Sequence, residues 1–258
     1  MRAFCLIKEE PHYRREAFVS GLQKLGYKVF FDVDLRDIRK DDLLVIWNRY
    51  GHFDEFAKLY EAKGCKVIVV ENGYLGVQYN DKVWYSIALS HHNGYGKYRL
   101  IADRFFDQNL KFSEWKTTGK EVVVLAQRGI GEKSIASPDN WEYYAKDLIE
   151  HKTGLPVRIR QHPGLTYAID LAEDLKNAKF AVTWGSGAGI KAIMLGVPVV
   201  HGLQNWIAKD SSLHISEFDI KKLFRGDRTK TFCNVFSAMW NLQEIYDARP
   251  FVELLNEN

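Results

Sequence analysis

Residues 181–200 read AVTWGSGAGIKAIMLGVPVV. A short apolar run enters a turn carrying Gly185, Gly187 and Gly189. A helical stretch follows, and after Gly196 and Pro198 a second apolar run begins. That is strand, tight turn, short helix, strand: one step of a parallel α/β sheet. Gly187, Gly189 and Ala192 match the G-x-G-x-x-A spelling of a dinucleotide turn. Such a turn, however, opens a longer helix and has an acidic ribose ligand about 20 residues on, after a second strand. The acid at that distance, Asp210, follows HGLQNWIAK, which does not read as a strand end. No Lys-Ser/Thr pair follows the glycines, so the stretch is not a P-loop either. What survives is an anion site: Ser186 and the first backbone N–H groups of a helix, with glycines keeping side chains out of the way, suit a phosphate or carboxylate. The competing reading is a bare corner between strand and helix.

The same rhythm extends in both directions. Upstream lie RAFCLI (2–7), a helix near 12–26, KVFFDV (28–33), LLVIW (43–47), a helix over 54–64 and KVIVV (66–70). Residues 72–96 show no helical period and are expected to form a long loop, rich in aromatics and therefore ordered. A helix near 98–108 and a polar linker at 111–120 precede a second run. It comprises EVVVLAQ (121–127), a helix near 139–152, VRIRQHP (157–163), a helix near 166–176, FAVTW (180–184), the short helix, VPVVHG (197–202) and a terminal helix near 231–246. The expected fold class is α/β, with two Rossmann-like domains, 1–115 and 116–258, facing a cleft.

The 258 residues, 46% hydrophobic and 14% aromatic, can bury a full core, which argues against disorder. A formal charge of +3 permits an anionic partner without requiring one. Cys5, Cys65 and Cys233 are too dispersed for a disulfide framework or a metal cluster, which favours a reducing cytoplasm. No run approaches the roughly 20 apolar residues of a membrane span, and the opening MRAFCLIKEE reaches charge too early for a signal peptide. The expected location is cytoplasmic.

If strand ends line a cleft, the polar residues just past each strand are the candidates: Glu71, Asn72 and Gly73, then Gln127 to Ser134, His162, Thr183 to Gly189, and His201. The quoted stretches ENG (71–73), AQRGIGEKS (126–134), RQHPG (160–164) and WGSGAGIKAIMLGVPVV (184–200) give the chain a specific resemblance. In order and spacing they are similar to motifs of GT-B glycosyltransferases of the capsular-polysaccharide, Kdo-transferase and bacterial sialyltransferase type. The match spans about 130 residues. This chain has Gly185-Ser186 where those families commonly have two serines, and Glu71-Asn72-Gly73 where they often have an acid pair before the glycine.

The resemblance implies a nucleotide-sugar donor, whose phosphate is contacted by His162, Ser186 and the opening segment with Gln127 and Ser134. Thr183, Gly185, Gly187 and Gly189 belong to the same donor site. It implies displacement at an anomeric carbon, with Glu71 as the base that takes the acceptor's proton, His162 and the helix N-terminus stabilising the leaving phosphate, and no metal required. The pair Asp32 and Asp34 in DVD ends a strand and reads equally well as a cap or salt-bridge site. The adjacent His91 and His92 project divergently and make a poor metal pair. With Asn72, Gly73, Asn93, Arg14 and Arg49 they are assigned to the acceptor.

The acceptor itself is expected, by a narrow margin, to be a hydroxymethylated pyrimidine in double-stranded phage DNA. That requires a basic rim, for which Arg14, Arg15, Arg49, Lys97 and Arg99 are the candidates. The alternatives are a capsule or lipopolysaccharide glycan and, from another class, a nucleotide-sugar epimerase or a non-catalytic binding protein on the same architecture.

Overall fold

The computed structural model describes residues 1–162 and 169–256. The chain forms two compact units, Met1–Ile101 with Phe236–Asn258, and Ala102–Val235. The first carries β1 (Arg2–Leu6), α1 (His12–Lys24), β2 (Lys28–Phe30), β3 (Leu43–Trp47), α2 (His52–Ala62), β4 (Lys66–Asn72), β5 (Gln78–Tyr79) and β6 (Lys82–Leu89). The second carries α3 (Asp103–Phe106), β7 (Glu121–Leu125), α4 (Trp141–Thr153), β8 (Val157–Arg160), α5 (Leu171–Asp174), β9 (Ala178–Thr183), α6 (Gly187–Met194), β10 (Val199–His201) and β11 (Leu213–His214). The chain crosses back within α7 (Thr229–Ala238) and ends with β12 (Met239–Asn241), α8 (Leu242–Tyr246) and α9 (Arg249–Leu255). None of the described helices is long and apolar enough to cross a membrane.

In the second unit the sheet order is β11-β10-β9-β7-β8, and every pair is parallel. Its strands are buried on both faces, which is why EVVVL and AKFAVT read as nearly unbroken apolar runs. Trp141, Ala145 and Ile149, four residues apart along α4, cover Val122, Val124, Phe180 and Val182 on one face. The chain order reverses between β7 and β9, and this switch point is where the carboxyl ends of parallel strands leave room for a ligand.

The first unit begins in the same way: β2-β1-β3-β4 are parallel neighbours. Alternate strand residues serve opposite faces. Ala3, Cys5, Val45, Ile68 and Val70 pack with Phe18, Leu22 and Phe251, whereas Phe4, Leu44, Ile46, Val67 and Val69 pack with Ala57 and Tyr60 of α2. Beyond β4 the pattern changes. β6 pairs antiparallel with β4, and β5 and β12 pair antiparallel with β6.

Three sequence expectations are corrected here. Residues 72–96 are not a loop: Lys82–Leu89 is an eight-residue strand, joined to β5 by the turn residues Asn80 and Asp81, both with positive φ (47° and 56°). The expected terminal helix over 231–246 is instead α7, a strand that closes the first sheet, and α8, which Asn241 and Glu244 start with a reciprocal capping box. The described residues from Phe236 onward group with the first compact unit. The helix expected near 98–108 is reduced to the four residues of α3, and of that expected near 166–176 only Leu171–Asp174 lies among the described residues.

Candidate functional site

The residues named at the carboxyl ends of β7 and β9 are drawn together in the second unit. Gly185 N–H donates to Gln127 Oε1 at 2.8 Å, so a side chain from the end of β7 holds the turn that leaves β9, directly across the switch point. Thr183, fully buried, donates through its hydroxyl to Ser186 Oγ at 2.9 Å and accepts Ser186 N–H at 3.2 Å. Ser186 then caps α6 by accepting Gly189 N–H on Oγ at 3.2 Å. With Gly189 N–H taken by the cap, Gly187 and Ala188 present the outward first-turn amides of α6, the donors that any helix leaves without an intrahelical acceptor. α6 has no acidic residue in its first turn, so the partial positive charge of its N-terminus is not neutralised by its own side chains.

The rest of the donor candidates frame this turn unequally. His162 stands two residues beyond β8, the neighbour of β7, and is half-buried. Burial, and after it the charge of Arg128, push its imidazole below the ordinary histidine value. Pro163 and Gly164 of the RQHPG stretch lie outside the described residues. Ser134 is exposed, and both its N–H and its hydroxyl donate to the carboxylate of Glu132, so it serves its own loop. That loop is fastened to the turn by Trp184 Nε1, which donates to Ile135 O at 2.7 Å. His201 is 3% exposed, with Nδ1 2.9 Å from Ser212 Oγ, and burial, then His214 and Lys209, push it down to about 3.

The acceptor candidates fall in the first unit, and the sheet gathers them only in part: the Tyr74 hydroxyl that takes Asn93 N–H also lies in the field of Glu71. Glu71 and Asn72 are the last two residues of β4, with Glu71 half-buried opposite Ser86 and Asn72 exposed opposite Tyr85. Because β6 runs antiparallel, its far end carries Ser90 to Val67, near the start of β4, where Ser90 N–H donates to Val67 O at 2.8 Å. His91 and His92 follow from there, so they do not leave the sheet from the same edge as Glu71. His92 is driven to about 4 by burial, then by His91. Asn93 is buried with φ 58°. Its N–H donates to Tyr74 Oη at 2.9 Å and its side-chain oxygen accepts Gly94 N–H, a turn-forming role. Gly73 is required by the hairpin, since a Cβ there would sit 2.9 Å from Gly76 O and from Trp84 Cβ.

Of the cations named for a basic rim, Lys97 and Arg99 are exposed, Arg14 and Arg15 are half-buried and Arg49 is buried. Arg49 is 4% exposed and its guanidinium is spent on Asp54 Oδ1, both oxygens of Glu61 and Ser90 O, at 2.6–2.8 Å. Arg14 lies over the Trp47 ring at 4.4 Å and donates to Glu10 O. Arg15 pairs with Glu9 at 3.4 Å and Arg99 with Glu253 at 3.2 Å. Asp34 binds Arg36 through side chain and backbone, which is the cap and salt-bridge reading of DVD. Among the described residues no group of three or more His, Cys, Asp or Glu side chains is placed to hold a metal ion.

The residue that sequence reasoning missed is Trp206. It is 1% exposed and lies under the glycine turn. A Cβ on Gly189 would come within 2.9 Å of Trp206 Cη2 and 2.8 Å of Thr183 Cγ2, and one on Gly185 within 3.2 Å of Trp206 Cδ1. No periodicity or motif marks it, because the contact joins residues about 20 apart through a strand and a turn.

No family model matches the chain, and no curated protein matches it in sequence. In fold the chain is similar to two solved structures from Thermosulfurimonas dismutans. One is the KpsC beta Kdo 2,7 transferase, at a TM-score of 0.60 and 12% identity, over 96% of this chain and 97% of that one. The other is the KpsC beta Kdo 2,4 transferase, at 0.57 and 11%, over 95% and 98%. The likeness runs nearly end to end and establishes an α/β fold of the kind on which those transferases are built.

Proposed function

We propose that the chain is a glycosyltransferase that takes a sugar from a nucleotide-sugar donor to a hydroxyl of a glycan acceptor, of the capsule or lipopolysaccharide class. The observation that carries the reading is the Gln127–Gly185–Ser186 arrangement at the switch point of the second sheet, which leaves the N-terminus of α6 open to an anion. The fold likeness to two Kdo transferases supports the choice of reaction. A glycan is preferred to DNA because two neighbours in fold are Kdo transferases and because Arg49, one of the cations a DNA acceptor would need, is buried against Asp54 and Glu61.

In this reading the donor's phosphate lies against Ser186 and the α6 amides, with His162 and the Gln127 carboxamide as further donors. The acceptor oxygen forms its bond to the anomeric carbon as the bond from that carbon to the phosphate oxygen breaks. The electron pair goes to the phosphate, where fixed N–H dipoles stabilise the developing charge at no reorganisation cost. The acceptor's proton goes to a carboxylate, for which Glu71 is the proposed base.

The test is a thermal-shift panel of UDP, CMP, GDP, dTDP and their common sugars on wild type, Ser186→Ala and Glu71→Gln. One nucleotide is expected to raise the unfolding temperature of wild type and Glu71→Gln, and to do so much less in Ser186→Ala. Glu71→Gln should then slow transfer by about a hundredfold or more. No shift for any nucleotide on the wild type removes the reading.

A further inference from the structure

The glycines of the 185–189 turn invite the explanation that a ligand needs to come close to the backbone. The packing points elsewhere. The indole of Trp206 spans the turn from beneath, its pyrrole end against Gly185 and its benzo end against Gly189. Leu203 fills the remaining side of Gly185, 3.0 Å from where a Cβ would stand, and Thr183 Cγ2 that of Gly189. The support is itself anchored to the strand that leads into the turn. Gly202 N–H donates to Thr183 O at 3.0 Å, Leu203 N–H to Trp184 O at 2.7 Å and Trp206 N–H to Leu203 O at 3.0 Å. Trp206 Nε1 is buried without a hydrogen-bond partner, so the indole acts there through its shape and volume.

We propose that Trp206 is a positioning residue of the α6 anion site: together with Thr183 it, and not the ligand, dictates glycine at 189, together with Leu203 it crowds Gly185, and it fixes the height at which the amides of Gly187 and Ala188 are offered. The anion-binding part of this inference rests on the donor-site reading above; the packing part does not. A large rigid ring directly under the glycines of the turn leaves that turn one way to sit, which is what a preorganised set of donors needs. The inference also accounts for the incomplete dinucleotide spelling. Its second glycine, Gly189, is accounted for by Thr183 and the indole, so neither a long helix nor an acidic ribose ligand is called for.

The test is a double-mutant cycle. Gly189→Ala is made in the wild type and in a Thr183→Ser/Trp206→Leu background, which clears both atoms the new Cβ would meet, with Trp206→Phe replacing Trp206→Leu if the latter does not fold. Two quantities are measured for each protein: the urea midpoint, and by calorimetry the dissociation constant for whichever nucleotide stabilises the wild type, with inorganic pyrophosphate as the alternative probe. Gly189→Ala is expected to weaken binding about tenfold or more in the wild type and to lower its midpoint, while changing binding less than about threefold in the cleared background. An equal loss of affinity in both backgrounds overturns the proposal, because the glycine is then serving the ligand. A midpoint coupled to Trp206 with affinity unmoved overturns the positioning role and leaves packing alone. A wild type that binds neither nucleotide nor pyrophosphate overturns the donor-site reading, and the midpoint cycle by itself then decides whether Trp206 dictates the glycine.

Discussion

The two sheets start alike and end differently. β2-β1-β3-β4 and β8-β7-β9-β10 share one parallel order, each with a reversal after its first strand. In the second unit every strand stays parallel, so each strand end falls on one edge, where Gln127 accepts Gly185 N–H at 2.8 Å and Thr183 and Ser186 bond each other at 2.9 and 3.2 Å. In the first unit an antiparallel hairpin follows β4, and polar residues drawn from one stretch of sequence leave by opposite edges. Its buried polar chemistry is also turned inward: Arg49 spends its donors on Asp54, Glu61 and Ser90. Strand direction, more than residue type, decides whether chemistry read at strand ends converges.

The strongest way to break this contrast is to remove Arg49. Its side chain is 4% exposed, and those of Asp54 and Glu61 are 15% and 31%. Arg49→Ala leaves two carboxylates and the Ser90 carbonyl without their shared cation, an arrangement that costs about 3–5 kcal/mol when the pair is buried. Glu61 remains partly wetted, so a loss near 3 kcal/mol is expected from urea unfolding. Nucleotide affinity, belonging to the second unit in the proposed reading, should not change. A loss under about 1 kcal/mol would mean that the cluster is solvated and that Arg49 is available for another role.

Acid offers a smaller effect that reports on both units. His201 in the second unit is held at about 3, by burial, then by His214 and Lys209, and His92 in the first at about 4, by burial, then by His91. Both are bases kept neutral by the fold, whereas an unfolded histidine takes its proton near pH 6.5. As pH falls below 6.5 the unfolded chain gains protons that the native state refuses, so stability declines until the folded value is passed. For His201 the window runs from 6.5 to about 3, with roughly 2 kcal/mol lost by pH 5. For His92 the window runs from 6.5 to about 4, so His201→Gln and His92→Gln should each flatten the stability-against-pH curve over that shared range, and between about 4 and about 3 only His201→Gln should do so. If neither variant changes the slope between pH 6.5 and 5, the histidines are not protected from water.

The alternation of apolar strands and amphipathic helices was legible because parallel strands buried on two faces leave long apolar runs, as in LLVIW and EVVVL. The turn from strand to short helix at Ser186 was legible too, but its reading as an anion contact did not foresee that the Ser186 hydroxyl caps the helix. What else stayed hidden depended on partners distant in sequence. Trp206 is one tryptophan among seven until Gly185 and Gly189 are seen above it. Arg49 looks like any arginine after a strand until α2 delivers Asp54 and Glu61. In β12 only Met239, Trp240 and Asn241 are extended, too few to show a period between two helical segments. The hairpin, by contrast, had a local signal in Asn80-Asp81, two residues that tolerate left-handed backbone, between runs that pair.

That hairpin supplies the finest test of why the two sheets part. Asn80 and Asp81 both take positive φ, and Tyr79 pairs with Lys82 across them, the geometry of a two-residue turn whose twist suits antiparallel strands. Asparagine pays little for this conformation and aspartate somewhat more, whereas glycine at the second position pays nothing sterically and is the residue such turns prefer. Asp81→Gly is therefore expected to stabilise the protein slightly, by about 0.5 kcal/mol, because the relief of strain exceeds the added freedom of the unfolded chain. Thermal unfolding of the two proteins side by side resolves a change of that size. A loss instead of a gain would mean that the aspartate side chain itself holds the turn, and no change would mean that β6 owes its antiparallel course to pairing between β4 and β12 and not to the turn that precedes it.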